Sequence, residues 1–184
     1  HTDQIAAIEA LSKAMPLSLD IVVKEHQSML GKRPPGYYER IAALPGVHLV
    51  SPFEDSLGLI GQAALTVTLT GTVAWEAMLL RKPALIIGDS PFRAVGQGFV
   101  WCPDLSSLPQ AVEKALKAEP ATDEQLTTYI ASILHDGFEF PTRLLWGNMT
   151  PETVRENRRY PEESARRILE HVREPAKTLR KSAV

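Results

Sequence analysis

The sequence predicts an α/β fold: a parallel β-sheet with helices on both faces, followed by further helices at the C-terminus. Three observations predict it. Short apolar runs suited to buried strands, DIVV, VHLV, ALTVTL and PALIIG, recur between segments whose apolar residues are spaced three or four apart. The connections are short and rich in Gly, Pro, Ser and Asp. Strand and helix patterns alternate rather than cluster, and right-handed crossovers turn such an alternation into a parallel sheet.

The first segment, TDQIAAIEALSKAM, spaces Ile5, Ile8, Leu11 and Met15 as a helix does, behind Thr2 or Asp3 as a start signal. SLDIVVK is a buried strand, and KEHQSMLGKRPPGYY is a loop closed by Pro34-Pro35-Gly36. YYERIAAL is a short helix ended by Pro45-Gly46, and VHLV is the second strand. In SPFEDSLGLIGQA, Asp55 or Ser56 caps a third short helix. ALTVTL is the third strand, TVAWEAMLL the helix after it, and PALIIG the fourth strand. Beyond Asp89 the pattern weakens through SPFRAVGQGFVWCPD, with a brief strand expected at GFVW. Helices are expected again at LSSLPQAVEKALKA, DEQLTTYIASILHD and PEESARRILEHVREPA, whereas FEFPTRLLWGNMTPETVRENRRYP is polar and irregular and takes no assignment.

At 184 residues the chain can bury a sizeable core as one domain, or one domain with a helical appendage. Its 44% apolar and 23% charged residues are a globular composition. A formal net charge of −2 carries no electrostatic footprint for nucleic acid. The single cysteine, Cys102, excludes an intrachain disulfide and suits a reducing cytoplasm. The uncharged stretch from Leu57 to Trp75 is long enough to cross a bilayer. However, Gln62 and the threonines at 66, 68, 70 and 72 interrupt it, and its period changes midway, so it reads as two short elements. No signal peptide opens the chain, and a start at His1 reads as a fragment or a processed form.

In an open parallel sheet, ligands bind beyond the carboxyl ends of the strands, where the loops into helices gather. The residues at those exits are polar or turn-forming: Lys24-Glu25-His26, Ser51-Pro52-Phe53, Thr70-Gly71-Thr72 and Asp89-Ser90-Pro91-Phe92. Thr70-Gly71-Thr72 opens a helix and offers backbone amides to an anion such as phosphate, although a threonine-capped turn explains an isolated TGT as well. Glu76, one turn on, has Trp75, Ala77, Met78 and Leu79 as neighbours; partial burial and a need for a partner follow. Lys24 could offset phosphate charge, and His26 could donate a hydrogen bond or act as an acid or base. His48 lies in a strand and reads as structural; His135 and His171 lie on terminal helices. Neither the histidines nor the carboxylates have metal-ligand spacing, and the sequence contains no Walker motif and no G-x-G-x-x-G. The basic run VREPAKTLRKSAV could touch an anionic membrane surface or fray in water.

Taken together, VVKEHQSMLGKRPPGYYERIAALPGVHLVSPFEDS and LTVTLTGTVAWEAMLLRKPALIIGDSPF resemble the carboxyl-terminal part of bacterial capsule polysaccharide biosynthesis proteins, which look like GT-B glycosyltransferases. The likeness runs from about Ile21 to Phe92. It implies a transferase whose Rossmann-like donor-binding half, here residues 1–120, holds the nucleotide of an activated sugar, with 121–184 as a helical extension packing on it. Related members transfer a ketodeoxyoctonate residue from its cytidine monophosphate conjugate, so the donor is a nucleotide sugar and no separate cofactor is implied. By resemblance, Lys24-Glu25-His26 matches a K-E-H-P segment, Ser51-Pro52-Phe53 the post-strand loop, and Thr70-Gly71-Thr72 with Glu76 a T-G-T-x-x-x-E-A segment. Gln27 stands where the proline is expected, which changes the loop that carries His26.

The resemblance implies transfer of the sugar to an acceptor hydroxyl on a glycan or lipid-linked acceptor. Oriented amides and a cation, rather than a metal, would stabilise the leaving phosphate. Thr70, Gly71 and Thr72 would hold phosphate, Glu76 would accept from ribose or sugar hydroxyls, and Lys24 or His26, the candidate catalytic residue, would balance developing charge. The base that activates the acceptor would come from an N-terminal domain outside this sequence. The expected location is cytoplasmic, at the inner face of the membrane. Two other readings share the architecture: a sugar-nucleotide epimerase-like domain, and a noncatalytic Rossmann-like interaction module.

Overall fold

A computed structural model describes residues 3–90, 92, 95–136 and 166. Residues 1–130 form one compact unit that contains every described strand, and 131–184 form a second. The helix expected at PEESARRILEHVREPA, the unassigned segment before it, His171 and the basic tail lie outside the described residues, Arg166 excepted.

Helix α1 (Gln4–Ala14) starts where Asp3 accepts the Ala6 amide, and it buries Ile5, Ala7 and Leu11. Strand β1 (Ile21–Lys24) runs parallel to β2 (Val47–Val50), in a register that sets Ile21 beside Val47 and Lys24 beside Val50. Between them the chain makes a 3-10 turn at Gln27–Met29 and the short helix α2 (Tyr37–Ala42). Helix α3 (Ser56–Gln62) is capped by Asp55, whose carboxylate accepts the amides of Leu57 and Gly58. Strands β3 (Thr66–Thr68), β4 (Ala84–Ile86) and β5 (Phe99–Trp101) form a second parallel sheet with β4 in the middle. Helix α4 (Val73–Leu79) connects β3 to β4, and α5 (Leu108–Leu116) and α6 (Asp123–Asp136) follow β5.

The single sheet expected from the sequence is thus two parallel sheets, with no hydrogen-bond ladder between them. One core serves both. Ile21 and Val47 pack with Leu85, Ile87 and Val100, and with Ile5, Leu11, Ile41, Leu108 and Val112 from the helices. Strand β4 is covered on both faces. Leu85 and Ile87 belong to that core, while Ala84 and Ile86 pack with Ile60, Ala74 and Ala77 from α3 and α4. Strand β1 differs, because Ile21 is buried while its neighbour Val22 is 53% exposed. Helices therefore flank both faces at β4, but Val22 and its register partner His48 lie on an exposed face of the smaller sheet.

A third cluster ties α6 to α4. Met78, Val95, Ala121, Leu126 and Tyr129 pack together, with Trp75 stacked on Phe92 at 6.0 Å between ring centroids. Arg81 ends α4 in the left-handed region, with φ of 58°, which costs free energy in a non-glycine residue. Its guanidinium offsets that cost by donating to the Ala121 carbonyl at 2.6 Å and pairing with Asp123 at the start of α6.

Leu85 carries no exposed surface, and its truncation to alanine leaves a cavity at the junction of both sheets with α1 and α5. Leu85→Ala is expected to lower unfolding free energy by about 2–5 kcal/mol in denaturant titrations. Leu17→Ser, at a fully exposed position, is expected to change it by less than about 0.5 kcal/mol.

Candidate functional site

The loop after β1 is built around a carboxylate. Lys24 is the last residue of that strand, and its ammonium meets no carboxylate among the described residues. Glu25 is only 11% exposed at its side chain, and Arg33 grips it in a fork, Nε to Oε2 at 2.6 Å and Nη2 to Oε1 at 2.9 Å. Oε1 also accepts the His26 amide at 2.8 Å, and Oε2 accepts the Tyr38 hydroxyl at 3.5 Å. The Arg33 guanidinium lies 4.6 Å from the centre of the Tyr37 ring, whose hydroxyl donates to Gln4 of α1 at 2.8 Å. Burial alone would push the Glu25 carboxyl up. Hydrogen bonds from Arg33 and the His26 amide, together with the Arg33 charge, overcome that and hold it below the usual glutamate range.

His26 is exposed, and its environment selects one tautomer. The Ser28 amide donates to Nδ1 at 3.2 Å, and the Ser28 hydroxyl lies 2.8 Å from the same nitrogen. A backbone N–H has a fixed direction, so Nδ1 is the acceptor and the ring proton sits on Nε2. Gln27 begins the 3-10 turn that supplies the Ser28 amide. The register that puts Lys24 beside Val50 brings Ser51 to the same rim, where its hydroxyl accepts the Phe53 amide at 3.2 Å and shapes its own turn.

The loop between β3 and α4 is held by residues outside the expected set. Thr68 Oγ1 accepts the Gly71 amide at 3.0 Å, and a Cβ at Gly71 would come within 2.9 Å of that oxygen. Gly71 therefore contributes room rather than a free amide. Thr72 occupies the position before α4 but makes no side-chain cap; its hydroxyl points toward Glu76 Oε1 at 3.4 Å. The amides of Thr72 and Val73 meet no acceptor among the described residues. Glu76 is half-buried with that single long contact, while Thr70, Gly71 and Thr72 are exposed. From the β4 exit, the Gly88 amide donates to the Leu69 carbonyl at 2.7 Å, and Trp101 Nε1 donates to the Gly88 carbonyl at 2.9 Å. Asp89 Oδ1 accepts the Ser90 amide at 3.1 Å.

The structure thus gathers the expected residues into two groups. Lys24, His26 and Ser51 share the rim of one sheet, and Thr70, Gly71, Thr72 and Glu76 share the rim of the other. Among the described residues no hydrogen bond or ion pair joins one group to the other. No cluster of three or more His, Cys, Asp or Glu residues suited to a metal occurs among the described residues, and no described helix is long and apolar enough to cross a membrane. Sequence reasoning missed Arg33, Thr68 and Gly88. Thr68 left a trace, a threonine three residues before a glycine at a strand exit; Arg33 sits in an otherwise ordinary polar loop.

A Cβ at Gly88 would meet Thr70 Cγ2 at 2.6 Å and the Leu69 carbonyl at 2.7 Å. Gly88→Ala is expected to destabilise the fold by about 1–3 kcal/mol and to shift the amide resonances of Thr70–Thr72 while leaving those around His26 in place. The lowered Glu25 pKa has a pH signature. Its contribution to stability is complete above the unfolded value of about 4.3 and is lost as pH falls through the lower folded value. Denaturation midpoints measured from pH 6 down to about 3 should fall more steeply for the native chain than for Glu25→Gln.

No family model matches the chain, and no curated protein matches it. Among solved structures it is similar to one described as the crystal structure of the glycotransferase of kitacinnamycin, with 14% identity and a TM-score of 0.42. The match covers 73% of this chain and 35% of that one. The α/β class stands on the parallel strands β1–β5 and the helices packed against them.

Proposed function

We propose that this chain is the nucleotide-sugar-binding half of a glycosyltransferase of capsule or surface polysaccharide biosynthesis, acting in the cytoplasm at the inner face of the membrane. The observation that carries the reading is a surplus of donors at the strand exits. The Lys24 ammonium, the His26 Nε2–H and the amides of Thr72 and Val73 all lack acceptors among the described residues. Donors left in this state match a phosphate, which presents only acceptors. The residues are also those of the K-E-H and T-G-T-x-x-x-E-A segments on which the capsule-family resemblance rests.

In this reading the Thr72 and Val73 amides and the Thr70 hydroxyl hold phosphate oxygens, with Gly71 leaving the space for them to approach. Lys24 supplies charge, and His26 donates from Nε2. Ser51 shapes the adjoining loop, and Glu76, with one long contact to Thr72, accepts from ribose or sugar hydroxyls. Transfer forms a bond from an acceptor oxygen to the anomeric carbon and breaks the bond from that carbon to the phosphate oxygen, which leaves with the electron pair. The donors listed above stabilise that departing charge. The base that takes the acceptor proton belongs to a partner domain.

Titration with cytidine and uridine monophosphates, followed by amide NMR, tests the assignment. Shifts are expected at Lys24, His26 and Thr70–Val73, and Glu76→Ala should weaken binding about tenfold, or ~1.4 kcal/mol, with the fold intact. No shift at millimolar nucleotide, or shifts confined to the opposite rim around Leu17 and Lys82, would sink the proposal.

A further inference from the structure

We propose that Glu25 and Arg33 are positioning residues that preset His26 as a fixed Nε2–H donor to a phosphate oxygen, an inference that rests on the nucleotide-sugar reading and assigns part of its work. His26 is held at its backbone and at its ring. Its backbone amide is bound by Glu25 Oε1 at 2.8 Å, and its Nδ1 is bound by the Ser28 amide at 3.2 Å. Of these anchors only Glu25 is partly buried, and it is the one tied to the body of the fold. From Glu25 the connection runs through the Arg33 fork to Tyr37 and on to Gln4 of α1, with Tyr38 as a second contact from α2.

The chemistry of the pair suits that task better than simple cohesion. Partly burying two ions costs desolvation, and apolar side chains of the same volume would hold a loop about as well. What apolar residues cannot supply is an acceptor for the His26 amide in a set direction. Glu25 has several acceptor positions, and the two Arg33 bonds, the Tyr38 hydroxyl and the His26 amide use them together. The carboxylate therefore cannot rotate without breaking the fork, and the backbone at His26 inherits that rigidity. A donor held in place beforehand loses less conformational freedom when a ligand oxygen arrives. Gln27, standing where the resemblance expects proline, fits the same view: stiffness that a ring would lend to the backbone comes here from an ion pair eight residues long in sequence.

The test uses the full 184-residue chain, with Glu25→Gln, Arg33→Lys, His26→Ala and the Glu25→Gln/His26→Ala double variant. Arg33→Lys keeps the charge but loses the fork, and it decides the matter should Glu25→Gln fail to fold. In the free protein, ring 15N spectra of His26 should show one Nε2–H tautomer in the native chain and a mixture in Glu25→Gln and in Arg33→Lys, with His48 unchanged as an internal reference. With cytidine 5′-monophosphate as probe, Glu25→Gln and His26→Ala should each weaken binding roughly tenfold, and the double variant should bind no more weakly than His26→Ala alone. A folded Glu25→Gln or Arg33→Lys that keeps the single tautomer would overturn the proposal. Losses that add in the double variant would overturn it too, since Glu25 would then act independently of His26. If the native chain binds no nucleotide, the nucleotide-sugar reading falls, and the ring spectra still decide whether Glu25 and Arg33 set the His26 tautomer.

Discussion

The burial of β4 is the constraint from which the rest of the molecule follows. Ala84, Leu85 and Ile86 have no exposed surface, so both faces of this strand must meet helices, and the alternation of its side chains assigns one face to each layer. The α4 side takes small residues, Ala74, Ala77 and Ala84, which let the helix lie close to the sheet. The other side takes Leu85 and Ile87, which reach across to the core shared with β1 and β2. A strand buried on both sides ends abruptly, and its exit at Gly88 presses directly on Leu69 and Thr70. The shape of the Thr70–Thr72 loop is thus a consequence of core packing as much as of its own sequence.

The smaller sheet obeys a different balance. With Val22 and His48 on an exposed face, the β1–β2 pair lacks the two-sided cover that fixes β4. Its exit loop is stabilised by polar contacts instead, in the form of the Glu25–Arg33 fork. Packing and ion pairing therefore solve the same problem, holding a strand exit, at the two rims. They differ in how they respond to conditions: the packed exit depends on volume, and the ionic one depends on pH and on partner geometry.

Much of this was legible beforehand because each element carried a local signal. The Thr2 or Asp3 start of α1, the Asp55 cap of α3, the brief strand at GFVW and the order of strands and helices all come from short-range rules, and the structure places Asp3, Asp55 and β5 accordingly. Three things were not legible, each for a nonlocal reason. Division into two sheets depends on which strands reach hydrogen-bonding distance, which no periodicity encodes. The pairing of Glu25 with Arg33 spans a loop whose path is set by Pro34, Pro35 and the burial of Tyr37. The loss of the Gly71 amide to Thr68 depends on a threonine rotamer, whereas sequence alone suggested that the amide was free.

On the proposed reading, energetics require both rims to act on one ligand. Favourable contact with an exposed helix start contributes about 0.3–1 kcal/mol, and a hydrogen bond to a charged group about 1.5–3 kcal/mol. Association must first overcome at least about 4 kcal/mol of lost rotational and translational freedom, and even millimolar binding needs a further 4.1 kcal/mol or so. The Thr72 and Val73 amides by themselves fall short of that sum, as do Lys24 and His26 by themselves. A ligand with a single phosphate touching one rim would be held too weakly to matter. One that carries both a phosphate and a run of hydroxyls, as a nucleotide sugar does, can engage Lys24 and His26 of one group together with the Thr72 and Val73 amides and the Glu76 carboxylate of the other. A preset His26 adds to this by making its contribution without the entropic cost of ordering a loop.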